Sequence, residues 1–330
     1  MSIRIHVFEE GYLRPYWLTY ERDGSNGNSR LMGISLSEMK RALDNPGAQQ
    51  PNAPARWGDL RQHMFYGALY HFLVMALNGG YRNFRPHRGL NVRQEFRLQL
   101  RRLLLLPLHR LERRIANHRV KAGGFPYHLV LLQLEHDASF LSHSGLPSMA
   151  AFVELCLDAF ARGAPPHYQL VFKAHPLEDD RAPLRQLIRK GAKARGLQGR
   201  VHFVRGGKLA DLLRTARSAV TVNSTSAQQA LWRGIPVRAL GRAIYSKPEL
   251  VSDQPLAEFF ARPAAANLAD YRDFRQFLLE TSQIPGGYYS ARGRRNALRV
   301  LVDRMLDPQD PYDALIHKTE ARQQHFRLVK

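Results

Sequence analysis

Between His128 and Gly241 five short apolar runs alternate with helical patterns, and this alternation constrains the fold more than any other feature of the chain. HLVLLQLE from His128, YQLVFKAH (168–175), RVHFV (200–204), SAVTVNS (218–224) and IPVRALG (235–241) read as buried strands. The amphipathic pattern of 147–162, the charged 181–195, KLADLLRTA (208–216) and TSAQQALWRG read as the helices between them. Strands and helices that alternate at this spacing require a parallel sheet covered on both faces. Residues 126–250 are therefore expected to form one Rossmann-like domain of an α/β protein. The G-x-G-x-x-G fingerprint is missing, so a dinucleotide site is not indicated.

The flanks are harder to place. Residues 1–8 read as one strand, with Ile3, Ile5 and Val7 alternating, and the following FEEGYLRPYWLTYERDGSNGNS reads as a loop of active-site character. Residues 35–121 look mostly helical, interrupted at 45–57 and 78–91, and 251–330 reads as a helical C-terminal region. A strand directly after Met1 needs neighbours, and 9–125 offers no convincing ones. The expectation is that 1–125 is an incomplete N-terminal lobe, lacking about 60–80 residues if two βα units are missing.

Charge narrows the partner. The formal net charge is +21, and from Arg82 to Lys121 twelve basic residues face only Glu95 and Glu112. They are interleaved with LQLRRLLLLPLHRL, a basic segment with an apolar side that suits an anionic membrane surface. Nucleic acid is the rival, but helix-turn-helix, zinc-finger and RNA-recognition signatures are missing. The plain alternative is a solvated helix. Met1 runs straight into a strand without a signal peptide pattern, and the longest apolar run, 64–77, is shorter than the roughly 20 residues of a membrane span. One cysteine, Cys156, excludes an internal disulfide framework and fits a reducing, cytoplasmic setting. It sits in an apolar helical pattern and reads as a core residue.

In open α/β sheets ligands bind beyond the carboxyl ends of the strands. Four clusters fall there: Glu9, Glu10 and Gly11 with Arg14; Gln133, His136 and Asp137; Lys173 and His175 before Pro176; and Asn223, Ser224, Thr225 and Ser226. The last opens a helix, where backbone donors and the helix dipole favour an anion such as phosphate, though the same residues also suit an ordinary N-cap. Lys173 and His175 on another strand end tip the balance toward an anion site. Asp137 and Glu10 come from separate strand ends and suit glycosyl transfer, one stabilising or attacking the sugar carbon and the other handling a proton. A structural cap and half of a salt bridge are the alternatives. No metal is implied, because H-x-x-x-H and C-x-x-C spacings are missing.

These motifs, in this order, resemble the capsule polysaccharide biosynthesis/export family. FEEGYLRPYWLTYE is similar to its E-G-Y-x-R-P segment, LLQLEHDASFLSHS to its Q-x-x-x-D stretch, FKAHP to its K-x-H-P motif, and TVNSTSAQQALWRGIPVRALGRAIYS to its N-S-T…G-x-P-V…A-I-Y block. The resemblance implies two Rossmann-like lobes of GT-B-like arrangement. It implies transfer of Kdo (3-deoxy-D-manno-octulosonic acid) from CMP-Kdo to lyso-phosphatidylglycerol, at the cytoplasmic face of the inner membrane of Gram-negative bacteria. Other capsule assembly proteins are possible partners. By the same resemblance Lys173, His175, Asn223, Ser224 and Thr225 hold the CMP phosphate and its surroundings. Asp137 is the nucleophile or ion stabiliser and Glu10 an acid/base, with Gln133, Arg14 and Tyr245 in support. The rival is a non-catalytic export component that binds glycolipid.

Overall fold

The computed structural model describes residues 3–318, apart from 15, 45, 47–64, 177, 179–181, 266, 289 and most of 67–103. The basic stretch 82–103 thus lies almost wholly outside the described residues, as do the interruptions at 45–57 and 78–91. The chain divides into two compact units, 72–268 and a second made from 1–71 with 269–330.

The 72–268 unit follows the alternation. Its strands are β3 (Tyr127–Leu131), β4 (Gln169–Lys173), β5 (Val201–Val204), β6 (Ala216–Thr221) and β7 (Val237–Ala239), all parallel in the order β5-β4-β3-β6-β7. β3 lies at the centre and all five of its residues are buried, which is why it reads as a continuous apolar run rather than an alternating one. Helices α2 (Leu106–Ala122), α3 (Ala138–His143), α4 (Met149–Gly163), α5 (Leu184–Ala194), α6 (Leu209–Leu213), α7 (Gln228–Leu231) and α8 (Leu256–Ala261) belong to the same unit. The core forms where Phe152, Cys156 and Phe160 of α4 meet Leu170 and Phe172 of β4 and Phe259 and Phe260 of α8. Cys156 is fully buried there. Ser148 caps α4 by accepting from Ala151 N at 3.1 Å, and Gly163 approaches Ala257 so closely that a Cβ would lie 1.9 Å from its carbonyl oxygen. That contact brings α8 against α4.

The other unit differs from the expectation for the chain's start. β1 (His6–Glu10) pairs antiparallel with β2 (Trp17–Arg22), and β2 pairs antiparallel with β8 (Gln283–Pro285). The stretch expected to be a loop is thus mostly a hairpin, and the first strand does not lack neighbours. Its short connection, residues 11–16, permits only antiparallel pairing. Gly11 N donates to Trp17 O at 2.9 Å, and a Cβ on Gly11 would lie 2.3 Å from that oxygen, so the turn requires glycine. Leu18, Tyr20 and Ile284 of this sheet pack on Ala297 of α10 (Ala291–Leu306). The unit also holds α1 (Leu36–Ala42), most of α9 (Leu268–Glu280) and α11 (Pro311–Ile316). The C-terminal region expected to be helical therefore also contains a strand, and it is shared between units: α8 packs on α4, whereas β8 joins the β1–β2 sheet.

Candidate functional site

Parallel pairing sets Lys173, the last residue of β4, level with Leu131 of β3, and Leu131 in turn level with Thr221 of β6. The residues just beyond these positions gather at one end of the sheet. Gln133 donates Nε2–H to Asn223 Oδ1 at 2.8 Å, and its Oε1 accepts the Asn223 backbone N–H at 2.9 Å. Asn223 Nδ2 donates in turn to Ser139 O at 2.8 Å, at the start of α3. Gln133 and Asn223 are both buried. The sequence placed Gln133 among the supporting residues, and its geometric role is to hold the segment after β6 against the segment after β3.

Ser224 is the N-cap of the short 3-10 turn Thr225–Ala227 that precedes α7. Its Oγ accepts from Ser226 N at 3.2 Å and lies 2.7 Å from Ser226 Oγ, while its carbonyl oxygen accepts from Tyr245 OH at 2.6 Å. Tyr245, the other supporting residue of this unit, is fully buried and fixes the Asn-Ser-Thr turn from behind. Thr225 is half-buried within the turn itself.

Lys173 is the electrostatic anomaly. It is only 6% exposed, its Nζ reaches the Ala174 carbonyl at 3.4 Å, and among the described residues no carboxylate lies within ion-pair distance. Burial alone lowers its pKa to about 8. A buried ammonium without a counter-charge is costly, and an anion from solution is what would relieve it. His175, two residues on, is half-buried.

The two candidate carboxylates occupy ordinary structural positions. Asp137 is the N-cap of α3, its Oδ1 accepting from Ser139 N at 3.1 Å, and it is exposed. Glu10 ends β1, where its Oε2 lies 3.1 Å from Arg14 Nη2, with both side chains more than two-fifths exposed. Arg14 Nε also donates to Gly11 O at 3.3 Å. The two acids belong to different units. Among the described residues no group of three or more His, Cys, Asp or Glu is placed to hold a metal ion, and no helix is long and apolar enough to cross a membrane.

Sequence reasoning passed over Glu21. This residue of β2 is 1% exposed and receives hydroxyl hydrogen bonds from Tyr12 (2.6 Å), Ser29 (2.5 Å) and Tyr312. Burial raises its pKa to about 7, against the opposing pull of the three hydroxyls. The available signal was a glutamate inside the β-type run WLTYER, but its most distant partner is 291 positions away.

The five-stranded parallel sheet, with a buried lysine and a hydrogen-bonded Asn-Ser-Thr turn at its carboxyl end, defines an α/β protein of Rossmann-like architecture. The particular family follows from comparison: the capsule polysaccharide biosynthesis protein family matches residues 1–289, and the chain belongs to it. It is 27% identical to the capsule polysaccharide export protein KpsS of Escherichia coli over 289 residues, covering 87% of this chain and 73% of that protein. It is 29% identical to the capsule polysaccharide modification protein LipB of Neisseria meningitidis over 293 residues, covering 86% of this chain and 68% of the relative. Among solved structures there is a loose likeness to Thermosulfurimonas dismutans KpsC, a beta Kdo 2,7 transferase. That likeness has a TM-score of 0.44 and 15% identity, over 90% of this chain and 77% of the other.

Proposed function

We propose that this capsule-family protein is a glycosyltransferase that moves Kdo from CMP-Kdo to a lyso-phosphatidylglycerol-type lipid at the inner membrane. The single observation that carries the reading is Lys173, a buried cation without a carboxylate partner among the described residues, at the carboxyl end of β4. In the reaction the bond between the sugar's anomeric carbon and the phosphate oxygen breaks, and CMP departs with the electron pair. Lys173 meets the phosphate charge as it develops, and an ammonium so paired is held in its charged form. Asn223, Ser224 and Thr225 supply the neighbouring polar contacts on a turn that Gln133 and Tyr245 keep rigid. His175 sits on the same strand end as Lys173.

The acceptor hydroxyl forms the new bond to the anomeric carbon and gives up its proton. Asp137 is proposed to stabilise or attack the oxocarbenium-like carbon and Glu10 to take the proton, with Arg14 holding the Glu10 carboxylate. The reading calls on no metal or cofactor.

The experiment is a mass-spectrometric transfer assay with CMP-Kdo and a fluorescent lyso-phosphatidylglycerol. A product heavier by one Kdo residue supports the reading. A folded protein that binds CMP-Kdo yet forms no product, in detergent or on vesicles, overturns it. The second reading, a non-catalytic export component that binds glycolipid, is favoured by the description of the Escherichia coli relative as an export protein. It predicts retention of glycolipid with no turnover.

A further inference from the structure

Helix α2 is built the wrong way round for a helix that only covers a sheet. Its polar contacts with the rest of the unit lie along its flanks and underside: Glu112 Oε1 accepts from Arg185 at 2.7 Å, Lys121 pairs with Asp211 at 2.6 Å, and Asn117 lies against Gly207. Val120 is its one fully buried apolar side chain among the described residues. Leu104, just ahead of the helix, then Leu108, Leu111 and Ile115 follow one another at spacings of four, three and four residues, which sets them in a single stripe. They are 72, 52, 55 and 53% exposed. A globular protein normally turns such a stripe inward.

The surroundings of the stripe say what it meets. Arg101 and Arg119 flank one side and Arg114 and His118 the other, all exposed. None of these arginines has a carboxylate within ion-pair distance among the described residues, and the helix's one acid, Glu112, is paired with Arg185 instead. We propose that the Leu104–Ile115 stripe with its arginine border is the surface by which this protein docks on an anionic lipid bilayer. The helix would lie in the plane of the headgroups, leucines in the acyl boundary and guanidiniums on phosphates. A second copy of the chain fits less well, because two-fold pairing of this face would set one arginine border against the other.

Docking here also has a consequence for the site. Glu112 lies 4.0 Å from Arg205, directly after β5, and Asn117 contacts Gly207. Val204 of β5 is level with Lys173 of β4. The bilayer would therefore sit next to the strand end that carries Lys173. The proposal rests on the transferase reading for the nature of the acceptor, but the surface itself can be tested without turnover.

The test is flotation of the full chain with phosphatidylglycerol vesicles and with phosphatidylcholine vesicles, at low and high salt. Binding to the first that weakens with salt is expected. The double variant Leu108→Glu with Leu111→Glu should lose at least about tenfold in vesicle binding, while keeping its melting temperature and its transfer to a water-soluble short-chain acceptor. Arg114→Ser with Arg119→Ser keeps the apolar stripe and should lose the preference for phosphatidylglycerol. Equal binding by wild type and both variants overturns the proposal. So does an unfolded leucine variant, which would mean that the chain itself covers the stripe, and so does a wild-type dimer that the leucine variant makes monomeric. Vesicle binding that behaves as expected with no transfer to any acceptor would sink the transferase reading and leave the docking surface standing.

Discussion

Gln133 and Asn223 face each other through two hydrogen bonds, side-chain amide to side-chain carbonyl at 2.8 Å and backbone N–H to side-chain carbonyl at 2.9 Å. The pair ties the end of the central strand to the turn that carries Ser224 and Thr225. Gln133→Leu would leave the Asn223 N–H and Oδ1 buried and unmatched, at a cost of about 2–3 kcal/mol. Urea denaturation should show that loss of stability. Binding of CMP-Kdo, followed by calorimetry, should weaken in the same variant, because the turn is then no longer held. A variant that lost stability but bound the nucleotide sugar normally would separate this pair from the ligand site.

Lys173 sets stability against its proposed role at the phosphate. Its pKa is lowered from 10.5 to about 8 by burial. Below about pH 8 both folded and unfolded chains carry the proton, and the folded one bears the full cost of burying it. Between about 8 and 10.5 the folded state releases that proton while the unfolded state keeps it, so stability rises with pH across this window. Lys173→Met should accordingly stabilise the unliganded protein at neutral pH by on the order of 1–3 kcal/mol. It should also flatten the alkaline rise and abolish CMP-Kdo binding. Thermal melts from pH 7 to 10 on both proteins check the sign, and a destabilised Lys173→Met would show that the ammonium has a favourable role in the fold.

Glu21 behaves in the opposite sense. Its pKa is raised from 4.5 to about 7, so the stability tied to its protonated form is full below about 4.5 and is lost as pH rises through about 7. The groups facing it are the hydroxyls of Tyr12, Ser29 and Tyr312, with Glu9 adding further negative charge nearby. Glu21→Gln removes the titration and should be the more stable protein at pH 8, by on the order of 1–2 kcal/mol. At pH 5 the two should converge. Denaturant melts at the two pH values decide it: equal differences at both would mean that the carboxyl stays ionised throughout.

The parallel sheet was legible in the sequence because its strands are buried on both faces, which writes dense apolar runs such as HLVLL and YQLVF. The strand-end residues followed from the same reading, Lys173 among them. The hairpin was not legible. In β2 the polar Thr19, Glu21 and Arg22 are all buried, each satisfied by groups far along the chain: Gln283 for Thr19, Tyr312 for Glu21, and the carbonyls of Arg304, Asp307 and Pro308 for Arg22. Local pattern reads such a segment as a polar loop, since burial of its side chains depends on contacts that no window of sequence contains. β8 was missed for the related reason that a three-residue strand inside a helical region has no period of its own. The basic, apolar-sided character of α2 was visible in the sequence, but not that its leucines would point away from the sheet.

Asp137 offers the cleanest test of the chemistry, because its structural role can be kept while its charge is removed. As the N-cap of α3 it needs only an oxygen to accept the Ser139 N–H, and asparagine supplies one. Asp137→Asn should therefore fold and bind CMP-Kdo like the wild type, yet transfer at a rate lower by about a hundredfold or more if the carboxylate meets the anomeric carbon. Asp137→Ala removes cap and charge together and should cost about 1 kcal/mol besides. Glu10→Gln breaks an exposed ion pair with Arg14, worth well under about 1 kcal/mol, so a fall in transfer there reports on chemistry too. Single-turnover rates with melting temperatures for all three variants give the answer. If Asp137→Asn turns over normally while Asp137→Ala is merely less stable, the residue is a cap and nothing more, and the group that meets the sugar must be sought elsewhere.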